Sequence, residues 1–172
     1  MTTAIQARRV QRVIVFSHIV GVATWLGATV LLGVLIETVG QSSADAFGRR
    51  RRFAEIFQVY NPVAIGALGV VVVTGGWALT PYKQALGSGY FASIGGALIG
   101  KLALAFLLIM MATWITFGIC HRVVRANQGA LPVTDAGLDG LVRRLRYAIW
   151  LTVIAALATY WVALGINPPA IP

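Results

Sequence analysis

The sequence predicts an all-α integral membrane protein: a four-transmembrane-helix bundle with short amphipathic interfacial helices in connectors 1–2 and 3–4. Three observations carry that expectation. Of 172 residues, 58% are hydrophobic and only 11% are charged, where a soluble domain carries roughly a quarter charged residues. Mean hydropathy is +0.81. The apolar residues gather into four runs, about 13–36, 60–80, 92–119 and 147–166, each long enough to cross a hydrocarbon core of ~30 Å at ~1.5 Å per residue. The connectors leave too little chain for a second domain, so residues 1–172 read as one unit.

The N-terminal tail holds Arg8, Arg9 and Arg12 and reads as an interfacial turn. Helix 1, Val13–Ile36, runs 24 residues without a formal charge. It is too long for the apolar core of a cleavable signal and no small-residue cleavage site follows it, so it is expected to stay as a span. Connector 1–2 opens on turn-prone Gly40-Gln41-Ser42-Ser43 and contains Arg49–Arg52. Phe53, Ile56, Phe57 and Tyr60 then recur at helical spacing, as in a helix lying at head-group level. Asn61-Pro62 suits the first turn of helix 2, where proline costs little.

Helix 2 ends in Thr74-Gly75-Gly76-Trp77, closed by Pro81. After a short connector, helix 3 begins near Ala92, carries Lys101 inside its apolar run and finishes at Cys120-His121-Arg122. A turn at Gly129–Pro132 follows. Leu138, Leu141, Val142 and Leu145, set beside Arg143, Arg144 and Arg146, predict a second surface-lying helix. Helix 4 runs from Tyr147 to about Ile166, and Asn167-Pro168-Pro169 stops it.

The net charge of +9 sits beside membrane spans, so it points to the lipid bilayer and its anionic head groups as partners and not to nucleic acid. Connectors 1–2 and 3–4 hold nine arginines, whereas the termini and connector 2–3 hold Arg8, Arg9, Arg12 and Lys83. This asymmetry predicts a multi-pass protein of the bacterial cytoplasmic (inner) membrane with both termini outside, although the N-terminal arginines pull the other way. Cys120 is the sole cysteine, so no internal disulfide and no CxxC metal clip can form.

An ionisable group at membrane depth is costly and reads as functional. His18 lies about five residues into helix 1 and Lys101 about nine into helix 3, both ~8–14 Å below the terminus-side surface. Helices 2 and 4 run the opposite way, so their last turns bring Thr74, Trp77, Tyr160 and Trp161 to the same level. Gly21, Val22, Trp25, Ala28 and Thr29 share the face of His18. An imidazole, a cation, aromatic walls and small residues together suit a porphyrin: His18 for the iron, Trp25, Trp77, Tyr160 and Trp161 for the ring, Lys101 for a propionate. Lys101 could equally orient a quinone oxygen or an anionic substrate.

Plainer readings stand beside this one. His18 could simply hydrogen-bond a neighbouring helix, Lys101 could snorkel to the surface, and the aromatics could form an interface belt. His121 follows Lys101 by twenty residues, ~30 Å along the helix, so His18 and His121 of one chain cannot ligate one haem.

The motifs resemble the HemJ-type bacterial membrane protoporphyrinogen oxidases and the related copper-resistance D (CopD) domains. The likeness starts at His18-Ile-Val-Gly-Val-Ala-Thr24-Trp25 and continues through Arg52-Phe53, Pro62 and Gly75-Gly76-Trp77. It then covers Lys101-Leu102-Ala103-Leu104 and the Cys120/Arg122 end of helix 3, about residues 13–126 in all. It implies a four-helix membrane protein binding haem b through His18, with Lys101 needed for catalysis and a quinone as acceptor. The oxidases carry an arginine and a further histidine beyond helix 1, where this chain has neither in Leu31–Gly40. They also have late helix 3 histidines, where it reads Thr113-Trp114 and Phe117-Gly118.

The leading expectation is therefore a haem b- or porphyrin-binding membrane protein for redox chemistry. A second is an accessory transmembrane subunit of a larger respiratory or photosynthetic complex, or a homo-oligomer. A third is a copper-handling permease, which the scarcity of thiolate and thioether ligands disfavours.

Overall fold

The computed structural model describes residues 2–42, 46–80, 83–84, 88–132 and 134–164, and among them every regular element is helical. The elements are α1 (Thr2–Ser42), α2 (Ala46–Ala78), α3 (Ser88–Thr113), a π-helical segment (Trp114–Cys120), α4 (His121–Asn127) and α5 (Asp135–Leu164). Four helices are long and apolar enough to cross a membrane, with α3, the π segment and α4 counting as one. The stops expected at Pro81 and at Asn167-Pro168-Pro169 lie outside the described residues.

The helices exceed the apolar runs that announce them, in two places with consequences. The N-terminal arginine stretch is the start of α1 and not a turn. Residues 2–12 contain no glycine or proline and several good helix formers, so nothing interrupts the helix. The two amphipathic stretches are not separate surface helices. Phe53, Phe57 and Tyr60 belong to α2, and Leu138 and Leu145 to α5, and all five are buried in one core. An apolar stripe can be covered by lipid head groups or by protein, and here both connectors' stripes are buried in the core of the bundle.

Pro62 accordingly lies inside α2 instead of at its start. Its missing N–H removes the helical partner of the Gln58 carbonyl. Gln58 is exposed.

The α1–α2 seam is antiparallel. Gly21 lets α2 approach so closely that a Cβ there would meet Val71 Cγ2 at 3.1 Å and Val70 Cγ1 at 3.2 Å. Lower down, Thr29 Oγ1 lies 3.4 Å from the Tyr60 hydroxyl and donates to the Trp25 carbonyl at 2.8 Å. Gly33 plays the same role towards α5, where a Cβ would stand 3.1 Å from Ile149 Cγ2.

The core sits mainly in the arginine-rich half, where Leu32, Ile36, Phe57, Ile115, Ile119, Leu145 and Ile149 are buried together. Phe53 and Phe57 stack with centroids 6.0 Å apart. Around this end run three ion pairs: Arg49–Asp139 at 3.5 Å, Arg146–Glu37 at 3.6 Å and Arg51–Glu55 at 3.0 Å. Being partly exposed, each is worth ~0–1 kcal/mol.

The third span changes partners along its length. α3 packs on α5, α4 packs on α2, and the π segment between them packs on both, while among the described residues α3 makes no extensive packing with α1 or α2. The bundle is closed at the arginine end and looser on the α3 side at the other.

Since Phe57 is wholly buried, Phe57→Ala should destabilise the fold by ~3–5 kcal/mol. Denaturant unfolding of the detergent-solubilised chain measures this; a loss below ~1 kcal/mol would mean that the connector stripes do not form a packed core.

Candidate functional site

His18 is on the stripe of α1 that also carries Trp25, Thr29, Leu32 and Ile36, at spacings of three, four and seven residues. That stripe faces the bundle, and His18 is half-buried near its upper end. Its Nδ1 lies 3.1 Å from the Val71 carbonyl oxygen and 3.0 Å from Thr74 Oγ1, both on α2. The Thr74 hydroxyl donates back to the Val70 carbonyl of its own helix. A carbonyl can only accept and the threonine proton is committed, so Nδ1 must carry the imidazole proton and donate.

The neutral ring then has its lone pair on Nε2, for which no partner occurs among the described residues. A histidine held at Nδ1–H by a backbone carbonyl, with Nε2 open, is the state in which imidazole ligates a metal.

Gly75 shapes the same place. A Cβ on it would come within 3.1 Å of His18 Cε1 and 3.5 Å of Nδ1, so glycine lets the Cε1–Nδ1 edge of the ring come up against α2. The close approach, not the backbone angle, is what demands it. Sequence reasoning sets Thr74 level with His18 and misses the roles of Val71 and Gly75. The only signal is their position within one turn of Thr74 on an antiparallel neighbour.

Lys101, half-buried on α3, is near enough for its ammonium to interact electrostatically with the imidazole. Two groups set at one height by counting residues are thus also within electrostatic reach of each other. Lys101 makes no ion pair or hydrogen bond among the described residues. Glu37, Glu55 and Asp139 are engaged at the arginine end, and Asp45 and Asp135, the other two acids, fall in or beside the same connectors in sequence.

The aromatic residues divide. Trp25 is 4% exposed and part of the core, its Nε1–H without a hydrogen-bond partner among the described residues. Trp77, Tyr160 and Trp161 are 61%, 63% and 78% exposed and stand on the outer surface. His121 is exposed at the start of α4 while its neighbour Cys120 is buried, so the two do not share one environment. No cluster of three or more His, Cys, Asp or Glu side chains suited to a metal ion occurs among the described residues. A groove of ≈ 340 Å³ between α1 and α2, lined by Ser17, Gly21, Thr24, Gly66, Ala67 and Val70 among others, does not include His18.

No protein-family model, curated protein or solved structure matches this chain.

Nitrogen-15 NMR of histidine-labelled, ligand-free protein should find His18 neutral with the proton on Nδ1. A proton on Nε2 would contradict the anchor to Val71. Gly75→Ala should move the His18 ring resonances and leave those of His121 in place.

Proposed function

We propose that the chain spans the membrane four times, with both termini outside, and binds haem b or a related porphyrin between α1 and α3, with His18 as axial ligand. The observation that carries this reading is the anchored imidazole: Nδ1–H is fixed on the Val71 carbonyl, which leaves the Nε2 lone pair without a partner among the described residues.

The residues present fit such a group. Gly75 leaves a flat surface beside the ring, and the weak packing between α3 and α1 leaves an approach from the side. Lys101 offers a cation without a carboxylate partner, suited to a propionate. Trp25, about two turns below His18, offers an apolar floor with an indole N–H to spare. Trp77, Tyr160 and Trp161, being on the outer surface, are read as a belt at the membrane interface.

A haem held there would supply one-electron redox chemistry. The protein's own part is to orient the axial imidazole, hold an anion at Lys101 and keep the surroundings apolar. If the chain is an enzyme, the resemblance to the HemJ-type proteins makes protoporphyrinogen its substrate and a quinone its acceptor, with Lys101 as the catalytic residue that positions the substrate's carboxylate.

The chain purified in mild detergent should show a Soret band at stoichiometric haem. His18→Ala should abolish it, and Lys101→Met should weaken haem retention without abolishing it. A colourless preparation that takes up no added haem, or a band that survives His18→Ala, overturns the reading.

A further inference from the structure

We propose that the arginine-rich end carries a site for the phosphate of an anionic phospholipid, centred on Arg122 and Arg125 of α4. The inference rests on the membrane-spanning part of the proposed function and not on the cofactor.

The first observation is a charge balance. Nine arginines occupy this end, and the fold disposes of them unevenly. Arg49, Arg51 and Arg146 are paired with Asp139, Glu55 and Glu37. Arg52, Arg122, Arg125, Arg143 and Arg144 are exposed and make no ion pair or hydrogen bond among the described residues. Three of the chain's five acids are taken by these pairs, and even with Asp45 and Asp135 counted the nine arginines exceed the acids by four. The result is a layer of guanidinium groups whose counter-ions must come from outside the chain.

The second observation is the height of that layer. Trp77 and Tyr160, exposed on α2 and α5, mark the opposite boundary. Counting from Tyr160, Arg144 lies sixteen residues lower, ~24 Å. Counting from Trp77, Arg52 lies twenty-five residues lower, ~38 Å. Arg122 is twenty-one residues past Lys101, which itself lies below the opposite surface, so it stands more than ~32 Å from that surface. Set against a hydrocarbon core of ~30 Å, Arg144 starts just inside its far edge and Arg52 and Arg122 beyond it, so the layer brackets the head groups of that leaflet. An acidic soluble partner would be met further out, so the depth favours lipid.

Within the layer, Arg122 and Arg125 form the pair best placed for one phosphate. They are three residues apart on one exposed helix face, neighbours on its surface, while Val123 and Ala126 turn inward and fix α4 to the bundle. Two guanidinium groups can each place parallel N–H donors on phosphate oxygens, a geometry that lysine does not reproduce. Arg143 and Arg144 continue the layer on α5.

The test is native mass spectrometry of the detergent-purified full chain, titrated with phosphatidylglycerol, with phosphatidylcholine of the same acyl chains, or with inorganic phosphate. Phosphatidylglycerol should be retained and phosphatidylcholine should not. Arg122→Gln/Arg125→Gln should cut phosphatidylglycerol retention about tenfold or more, and the two single variants should each fall between. Arg8→Gln/Arg9→Gln, the same charge change at the other end, should retain it fully.

Equal retention of both lipids, equal losses from the two double variants, or no loss from Arg122→Gln/Arg125→Gln would overturn the proposal. Displacement by inorganic phosphate at equal concentration would overturn the lipid assignment in favour of a soluble anion. Retention is scored on colourless and haem-loaded particles separately, so failure of the cofactor reading leaves this result distinct.

Discussion

The hydrogen bond from His18 Nδ1–H to the Val71 carbonyl fixes more of this structure than its single contact implies. A polar ring among aliphatic side chains must have a partner, because leaving one unsatisfied in an apolar medium costs several kcal/mol. A helical carbonyl is an available partner: it keeps a second lone pair after its own helical bond is made. Using it requires α1 and α2 to lie close, and that in turn requires Gly21 and Gly75, where a Cβ would press on Val71 and on the imidazole itself. The seam's spacing, its register and the ring's tautomer are therefore one solution to one problem.

The third span solves a different problem. Its lower part joins α2 and its upper part joins α5, and the change of partner coincides with the π-helical turns Trp114–Cys120. A π segment spends more residues per turn than an α-helix and so rotates the helix beyond it relative to the helix before it. The buried side chains there, Ile115, Thr116, Ile119 and Cys120, keep facing the core. Trp114 folds down onto Gly118, where any Cβ would stand 2.8 Å from the indole Cδ1. Closure at the arginine end and looseness near Lys101 come from this switch.

Much of the fold is legible in the sequence. Four apolar runs announce four helices, and counting residues along antiparallel spans is enough to set His18, Thr74 and Lys101 at one height. Height is not direction, however. Trp77, Tyr160 and Trp161 face outward, because helix rotation is decided by packing that no local pattern encodes. The connectors mislead for a related reason. Phe53, Ile56, Phe57 and Tyr60 make the same stripe whether it lies on a membrane or in the core of a bundle, and only the partner distinguishes the two. Pro62 misleads as a start signal because a helix already built on both sides can bear one missing donor at an exposed turn.

The unpaired cation near the imidazole gives these features a common consequence. A neutral imidazole can accept from an ammonium at Nε2, yet no hydrogen bond joins Lys101 to His18 among the described residues. The described parts of α1 and α3 likewise make no extensive contact of their own. A ligand with a Lewis-acidic centre for Nε2 and an acidic group for the ammonium would bond both at once and would provide the α1–α3 contact that the polypeptide lacks. On this argument the looseness beside Lys101 and the partnerless Nε2 belong to one arrangement, and a group of that chemistry, if bound, would close the upper half.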